Sequence, residues 1–292
     1  MRNLLLFAIS AVVAVGCSSG IIKSGDVSGT PVYTANELIR GLGSNRTLVL
    51  QAKTVYNLTP ELLEMAEGRH GLALPRVSYD RDYRTIYPEG LSWTGEHDGP
   101  QLNLKGIKNL TLAGPNVPDA DRPVVLVDPR YAFVFNFVDV SGIKLRNLVL
   151  GHTEEGYCSS GVLGFERSEN IDISNCDLFG CGTEGIVADD TVNLNFFNSV
   201  IRDCTYSIMS LRRCEGFTFA NSKFYRNREY SLVNVSASKG IVFRSCNFYE
   251  NKGPLFELDS PITLDKCIVR HTSSLGTMNY VTNLSSIINA GQ

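Results

Sequence analysis

One short phrase returns six times between Ile143 and Val269, and it constrains the fold more than any other feature of this chain. Each copy holds an apolar–x–apolar step, a polar bend and a second short step that ends on an apolar residue. The copies start 28, 23, 23, 24 and 21 residues apart, at Ile143, Ile171, Leu194, Phe217, Ile241 and Ile262. Alternation at period two, inside a unit that repeats at this length, predicts a solenoid of short strands.

A third apolar segment precedes every copy after the first. Its inward pairs are Leu163/Phe165, Ile186/Ala188, Met209/Leu211, Val233/Val235 and Pro254/Phe256. The second residue of each pair lies six positions before the next phrase. Three strands per turn, at about 23 residues per turn, predict an all-β parallel β-helix. Leucine-rich repeats fit less well because the Leu-x-x-Leu-x-Leu ladder is absent, and an up-and-down barrel would need hairpin turns that do not recur.

Polar residues at the bends and at the start of the chain support the solenoid. Asn175, Asn198 and Asn221 fall in one column between the first two strands, where asparagine tolerates unusual backbone angles. A capping box, Thr34-Ala-Asn-Glu37, predicts a short helix that begins just before the first coils. A helix there would cover the open end of the solenoid, whose strand edge would otherwise recruit other chains.

The first residues are typical of an export signal. Arg2 precedes an apolar run from Leu4 to Val15, which is too short for a membrane span. Ala14-Val-Gly-Cys17 resembles a bacterial lipobox, in which the cysteine receives lipid and becomes the mature N-terminus. The alternative is an ordinary signal peptide with a chance cysteine. Ser18 resembles the outer-membrane sorting pattern, so we expect a lipid-anchored protein at the outer membrane or cell surface of a bacterium.

These observations divide the chain into four segments. We expect a signal peptide over 1–17, a flexible tether over 18–30, the β-helix over 31–272, and a poorly ordered cap or tail over 273–292. The formal net charge is −3 and no run of Lys or Arg occurs, which gives nucleic-acid binding no electrostatic support. We expect a monomer whose membrane contact is the lipid anchor.

Three phrases carry a resemblance to a known family. They are Asn109-Leu-Thr-Leu-Ala-Gly114, Asn170-Ile-Asp-Ile-Ser-Asn-Cys176 and Lys239-Gly-Ile-Val-Phe-Arg-Ser-Cys246. Together with the capping helix they resemble the right-handed parallel β-helix proteins of the pectin-lyase-like superfamily, over about residues 30–272. The resemblance implies a right-handed coil. It does not imply one function, since that family holds lyases, hydrolases, epimerases, adhesins and non-catalytic binders.

Seven cysteines follow Cys17, and most of them fall in columns. Cys158, Cys181 and Cys204 share one column, Cys176, Cys246 and Cys267 share another, and Cys214 stands apart. Stacked core residues are the simplest interpretation. A disulfide from Cys181 to a neighbour, or from Cys246 to Cys267, stays open because adjacent coils are close enough. No C-x-x-C pair occurs and the histidines are scattered, which disfavours a metal site.

The densest outward charges follow the third strand. One column holds Glu166, Asp189, Arg212, Ser236 and Glu257, and the next holds Arg167, Asp190, Arg213, Ala237 and Leu258. In pectate lyases, by resemblance, this face carries calcium-binding acids and an arginine base. Asp189 and Asp190 with Arg212 would supply such a site. The alternative is an exposed ladder of salt bridges across the coils.

Two further sets of residues are candidates. His152, beside Glu154 and Glu155, is the best lone general base, although such a histidine is more often a hydrogen-bonding loop residue. Sugars stack on aromatic rings, so an aromatic rail near the turns predicts carbohydrate binding. Its candidate residues are Tyr157, Tyr206 and Tyr230, with Arg213. Packing of these rings against neighbouring coils is the alternative.

Three functions are consistent with these sequence features. The leading hypothesis is an exported β-helix protein that binds an extended polysaccharide, without cofactor and without complete catalytic machinery. A polysaccharide lyase using Asp189, Asp190, Arg212 and His152 is the second, and only this alternative calls for calcium. The third is a structural or adhesive envelope protein. The Asn-Thr-Asp, Gly-His-Gly and Arg-Ile-Lys signatures of polygalacturonases are absent.

Overall fold

The chain winds into stacked coils whose strands pair in parallel with the coils before and after them. The computed structural model describes residues 27–69, 71–154, 160–180 and 184–289. Cys17, Tyr157, Cys158 and Cys181 lie outside the described residues. The parallel ladders confirm the parallel β-helix. In the described ranges, no helix is both long and apolar enough to cross a bilayer.

Two helices and four short strands form the N-terminal end. In chain order they are β1 (Thr30–Val32), α1 (Ala35–Gly41), β2 (Arg46–Leu50), β3 (Val55–Asn57), α2 (Leu58–Ala66) and β4 (Ser78–Tyr79). The Thr34 side chain accepts from the backbone N–H of Glu37 at 3.1 Å, and the Glu37 carboxylate accepts from the N–H of Thr34, which confirms the capping box. Helix α1 buries Leu38 and Ile39 against the first coil, as a cap must.

An insertion follows α2 and folds onto the third face of the coils. Its strands are β5 (Thr85–Ile86), β6 (Gly90–Glu96) and β7 (Gly99–Lys105). Strand β5 forms a small antiparallel hairpin with β4, and β6 pairs antiparallel with β7. Strand β7 also pairs in parallel with the next coil, so it starts the third face while β6 lies along its outer edge. A short 3₁₀ helix covers Asp119–Asp121.

The remaining strands repeat in the order first, second and third face. The first face holds β8 (Leu110–Ala113), β11 (Ser141–Arg146), β14 (Glu169–Ser174), β17 (Val192–Phe197), β20 (Glu215–Ala220) and β23 (Ile241–Arg244). The second face holds β9 (Val124–Val127), β12 (Val149–His152), β15 (Asp177–Phe179), β18 (Val200–Arg202) and β21 (Lys223–Tyr225). The third face holds β10 (Phe135–Val138), β13 (Gly161–Glu166), β16 (Glu184–Asp189), β19 (Ser207–Arg212) and β22 (Val233–Ser236). The last coils use the longer strands β24 (Asn247–Leu258), β25 (Ile262–Gly276) and β26 (Val281–Asn289).

The inward columns match the predicted register. Ile173 pairs with Phe196, Phe196 with Phe219, and Phe219 with Phe243, and all four side chains are buried. The rings of Phe219 and Phe243 stack with centroids 4.7 Å apart. At the bends, Asn175, Asn198 and Asn221 adopt φ values of 53°, 48° and 51°, the left-handed region that asparagine tolerates. The interior is therefore one continuous apolar core, which the three strand faces enclose.

Two expectations about the last coils are wrong. Val235 pairs with Leu258, which is buried, so the outward position beside Ser236 belongs to Asp259 and not to Glu257. The connection to the next phrase is two residues shorter here than in the earlier coils, and the six-position rule therefore placed Pro254, Glu257 and Leu258 out of register. The repeat also continues beyond 272, because β26 pairs in parallel with β25 as a further coil where a poorly ordered cap or tail was expected.

The described cysteines are core residues. They are Cys176, Cys204, Cys214, Cys246 and Cys267, all buried. The Cys246 Sγ donates to the carbonyl of Phe219 at 3.3 Å, so its thiol is hydrogen-bonded inside the column. Burial raises the pKa of Cys176 to about 12 and that of Cys214 to about 11, which keeps both thiols protonated at neutral pH.

Candidate functional site

A groove of about 530 Å³ runs along the third face, and we call it the third-strand groove. Outward side chains of the strands from β7 to β22 form its floor. Gly164 keeps that floor open, because a Cβ there would meet the Asn136 Oδ1 at 2.8 Å and the Phe133 ring at 3.1 Å. The groove crosses six strands, which at about 4.8 Å per strand gives a length of roughly 24 Å.

Amide side chains at the N-terminal end of the groove are fixed by a buried network. The Asn103 Oδ1 accepts from the Gln101 Nε2 at 3.0 Å and from the Asn136 Nδ2 at 2.8 Å. The Asn103 Nδ2 donates to the Thr94 hydroxyl of β6 at 2.7 Å. Asn103 is fully buried, and Gln101 and Asn136 line the groove beside it. These two amides are therefore held in one orientation before any ligand arrives.

Aromatic rings line the same end of the groove. Tyr87, Tyr131 and Phe133 all contribute to the wall, and Tyr131 packs edge-on against His97 with ring centroids 5.3 Å apart. The backbone N–H of Phe133 donates to the Gln101 Oε1 at 2.9 Å, which ties the aromatic loop to the amide network. Burial, aided by the charge of Glu166, raises the pKa of Tyr87, so its hydroxyl remains protonated and able to donate.

A carboxyl group that the sequence did not single out also lines the groove. Glu96 ends β6, is half-buried, and has a raised pKa because of burial and the nearby charge of Asp98. Asp98 itself accepts from the backbone N–H of Arg130 at 2.7 Å and from that of Tyr131 at 3.2 Å. Asp98 thus holds the loop that carries Tyr131 against the end of the β6–β7 hairpin.

The predicted acids and arginines form a salt-bridge ladder at the C-terminal ends of the third strands. The Arg212 Nε lies 3.1 Å from Asp189, and the Arg213 Nε lies 2.6 Å from Asp190. Arg213 also reaches Asp189 at 2.8 Å. Its guanidinium holds the pKa of Asp190 below the usual range, and Asp190 in turn raises the pKa of Arg213. The structure therefore brings all four residues together as the exposed ladder that was the alternative interpretation.

Only part of this ladder belongs to the groove. Asp189 and Arg212 line it, as does Glu166, which forms an ion pair with Arg167. Asp190 and Arg213 are absent from the lining and lie on the turn that follows, in the left-handed region with φ of 49° and 53°. In the described ranges, no cluster of three His, Cys, Asp or Glu side chains is placed to bind a metal ion.

His152 lies at the end of β12 on the second face and does not line the groove. Only 1 % of its surface is exposed, and its Nε2 lies 2.8 Å from the carbonyl oxygen of Ala132. Burial lowers the pKa of the imidazole, so it is neutral at pH 7. Its position fits a hydrogen-bonding loop residue that ties two connections together.

The two described tyrosines of the predicted aromatic rail contact each other but do not converge with Arg213. Tyr206 and Tyr230 contact each other with ring centroids 4.7 Å apart, and Tyr230 is 57 % exposed. Tyr206 precedes β19 and Arg213 follows it, so the length of that strand, roughly 20 Å, separates the two. The rings therefore lie at the opposite end of the third strands from the charge ladder.

An acid near the start of the third strands was also missed. Burial raises the pKa of Glu184 to about 7. The repeat pattern gave no signal for this position, which precedes the inward pair Ile186/Ala188. The groove residues before β8 were missed for a related reason, because the insertion breaks the repeat. Only the alternation Gln101-Leu-Asn103-Leu marked one of them, Gln101, as outward.

The fold and the groove define the class as a right-handed parallel β-helix protein. The family model described as "Right handed beta helix region" matches residues 160–289. A proposed glycosyl hydrolase from Parabacteroides merdae ATCC 43184 is similar in structure, with TM-score 0.39 and 11 % identity over 75 % of this chain and 96 % of that one. Pectin methylesterase from Aspergillus niger is also similar, with TM-score 0.42 and 9 % identity over 92 % of this chain and 87 % of that one. No curated protein matches this chain in sequence.

Proposed function

We propose that this protein binds an extended polysaccharide lengthwise in the third-strand groove, without complete catalytic machinery of its own. The observation that carries the proposal is a groove of about 530 Å³ that combines aromatic rings, fixed amides and charged groups along one face. A linear polymer can follow such a groove across successive coils, because each coil adds another row of outward side chains at a constant spacing.

The chemistry of the lining suits sugars. The rings of Tyr87, Tyr131 and Phe133 offer apolar faces for the C–H surfaces of a sugar, and the two tyrosines add hydroxyl groups. Gln101 and Asn136, held by the buried network, can exchange hydrogen bonds with sugar hydroxyls at little cost in side-chain entropy. Pockets built from apolar walls and a few fixed polar groups are typical of ligand sites.

The lyase alternative is less well supported by the same groove. Its base would be Arg212, whose side chain is 58 % exposed and paired with Asp189, an environment that keeps a guanidinium protonated. A calcium ion prefers about six to eight oxygen ligands. It fits poorly here, since the carboxylates of Asp189 and Asp190 are already bound by arginines.

The third-strand groove is tested by replacing Tyr131 with alanine and by screening the wild type and the Tyr131→Ala variant against a set of glycans. Loss of one stacking ring should weaken binding of the best glycan about tenfold, measured by calorimetry. Tyr249→Ala is the matched control, because Tyr249 stacks on Tyr225 away from this groove, and it should leave the affinity unchanged.

Other outcomes of that screen separate the alternatives. Equal affinity of Tyr131→Ala and wild type would reject the groove as the binding site. A rise in absorbance from unsaturated products on a polyuronate, lost in Arg212→Ala, would show a lyase instead. No bound glycan at all would favour a structural or adhesive envelope protein.

We also propose that lipid on Cys17 anchors the protein at the bacterial envelope, as the lipobox resemblance suggests. Mature wild-type protein should fractionate with membranes and carry lipid on Cys17 by mass spectrometry. Cys17→Ala should release the protein as soluble or unprocessed material. Ser18→Ala, a neighbouring change that keeps the acceptor thiol, should stay membrane-bound. An unlipidated wild-type protein cleaved at another position would contradict the proposal.

A further inference from the structure

A second groove, of about 500 Å³, lies at the turns between the second and third faces. We call it the basic groove and define it by Arg226, Arg228, Glu250 and Lys252, which contribute to its lining. It lies after β21 and within β24, at the opposite ends of the third strands from the charge ladder. None of these four residues lines the third-strand groove.

Two cations in the basic groove are stacked on adjacent coils. Arg228 and Lys252 are direct partners in a parallel bridge, so their side chains project from backbones about 4.8 Å apart. Like charges directly opposite each other across paired strands are destabilising. In the described part of the chain, neither side chain makes an ion pair. The ion pairs Arg212–Asp189 and Arg213–Asp190 join a base and an acid across adjacent coils, whereas Arg228 and Lys252 are both cations.

The nearby carboxylates do not compensate the pair. Asp203 is held by Arg226 at 2.7 and 2.8 Å and by Arg202 at 2.7 Å. Glu250 lines the groove, and its charge acts on Arg226, whose pKa is raised chiefly by the hydrogen bond with Asp203. Arg226 is thus neutralised by its own partner, while Arg228 and Lys252 retain donors for an incoming anion.

A buried ladder fixes the backbone beneath these cations. The Asn251 Oδ1 accepts from the backbone N–H and from the side-chain Nδ2 of Asn227, both at 3.1 Å. The Asn227 Oδ1 accepts from the backbone N–H of Cys204 at 3.0 Å. Arg228 and Lys252 directly follow the two asparagines, so the coil geometry imposes their stacking and they cannot separate through backbone movement.

Aromatic rings adjoin the same turns. Tyr230 lies two residues after Arg228, is 57 % exposed, and packs on Tyr206 of the preceding coil. A pair of cations beside exposed tyrosine rings is the combination that a negatively charged sugar requires, because the rings take the sugar face and the cations take its anionic group.

We infer that the basic groove is a second binding site, one that takes the carboxylate or sulfate group of an acidic glycan between Arg228 and Lys252, with a sugar ring against Tyr230. The inference deepens the proposed function and rests on it, since it assigns the acidic class of polysaccharide to this protein. The protein as a whole carries a formal charge of −3, so such binding depends on the local pair and not on a general attraction for anions.

The test compares wild type with Arg228→Gln/Lys252→Gln on a polyuronate, a sulfated glycan and a neutral glycan. Binding of the acidic glycans by wild type should weaken with salt up to about 0.5 M, where screening is strong. The double variant should bind them about tenfold or more weakly at low salt, the size of one charge-assisted hydrogen bond. Its thermal midpoint should stay equal or rise, because like-charge repulsion is removed.

Lys108→Gln/Lys266→Gln is the matched control, since it removes two exposed charges outside both grooves and should retain wild-type affinity. A preference for the polyuronate over the sulfated glycan, or the reverse, identifies the anionic group. Unchanged acidic-glycan binding in the Arg228/Lys252 variant, with loss in Tyr131→Ala, would overturn this inference and leave the third-strand groove standing. Loss of acidic-glycan binding in the double variant but not in Tyr131→Ala would support the basic groove and reject the third-strand groove as the binding site. An equal loss of affinity in the Lys108/Lys266 control would show that net charge alone explains the effect, and it would overturn the inference.

Discussion

Replacing Phe219 with alanine is expected to lower the free energy of unfolding by roughly 3–5 kcal/mol, the cost of emptying a large aromatic site in a packed core. Phe219 is fully buried, stacks on Phe243 at 4.7 Å between ring centroids, and packs against Phe196 at 5.9 Å. Neighbouring coils cannot collapse into the space, because each is held at a fixed spacing by its parallel ladder. Denaturant titration followed by circular dichroism measures the loss.

The matched control for that prediction is Arg244→Gln, one residue beyond Phe243 on the outward side. Arg244 is 59 % exposed and pairs with Asp265 at 3.2 Å, so its replacement should change stability by about 0.5 kcal/mol or less. Similar losses in the two variants would show that the inward and outward sides of the first strands are assigned incorrectly.

Replacing Asn227 with alanine is expected to cost a comparable amount, about 3–5 kcal/mol, for a different reason. The Asn227 side chain satisfies the N–H of Cys204 and the carbonyl of Ile201 and donates to Asn251, all in a buried environment. The smaller alanine would remove the side-chain partners of the Cys204 N–H and the Ile201 carbonyl, while the Asn251 Oδ1 would keep only the backbone N–H at position 227. Each unsatisfied buried group costs about 1–3 kcal/mol, so the sum exceeds what a lost hydrogen bond alone would cost.

Asn195→Ala supplies the control for the buried asparagine. The Asn195 Nδ2 donates to Asp172 at 3.0 Å on the exposed first face, where water can replace the lost partner. Its removal should cost about 1 kcal/mol or less. If Asn227→Ala unfolded with the same midpoint as Asn195→Ala, the buried ladder would not be a major source of stability in these turns.

Local patterns were sufficient to predict the coils. Ile171, Leu194 and Phe217 each lie in a strand whose inward residues recur at period two, and hydrophobic burial permits only one register for such a strand. The same logic failed in the last coil, because it assumed a connection of constant length. The burial of Leu258 moved Asp259 to the position expected for Glu257, and nothing in the repeat itself announced the shorter turn.

The candidate sites were predictable only in part. The ladder of Asp189 and Asp190 with Arg212 and Arg213 followed from column alignment, since residues at equal positions on adjacent coils become neighbours. Whether those charges would bind a ligand or one another depended on side-chain geometry, and they bind one another. His152 could not be judged from its neighbours in sequence, because its burial comes from Ala132 and a loop of another coil.

The sequence by itself determined the coil, its period, its inward columns and its capping helix, because each depends on alternation and capping over a few residues. The third-strand groove was decided by the tertiary structure alone. It forms where β6, inserted at Gly90–Glu96, and the loop that carries Tyr131 meet outward residues as distant as Arg212. The basic groove likewise needed the register that sets Arg228 directly against Lys252. Contacts of that kind depend on the lengths of irregular connections, and a periodic pattern carries no information about those lengths.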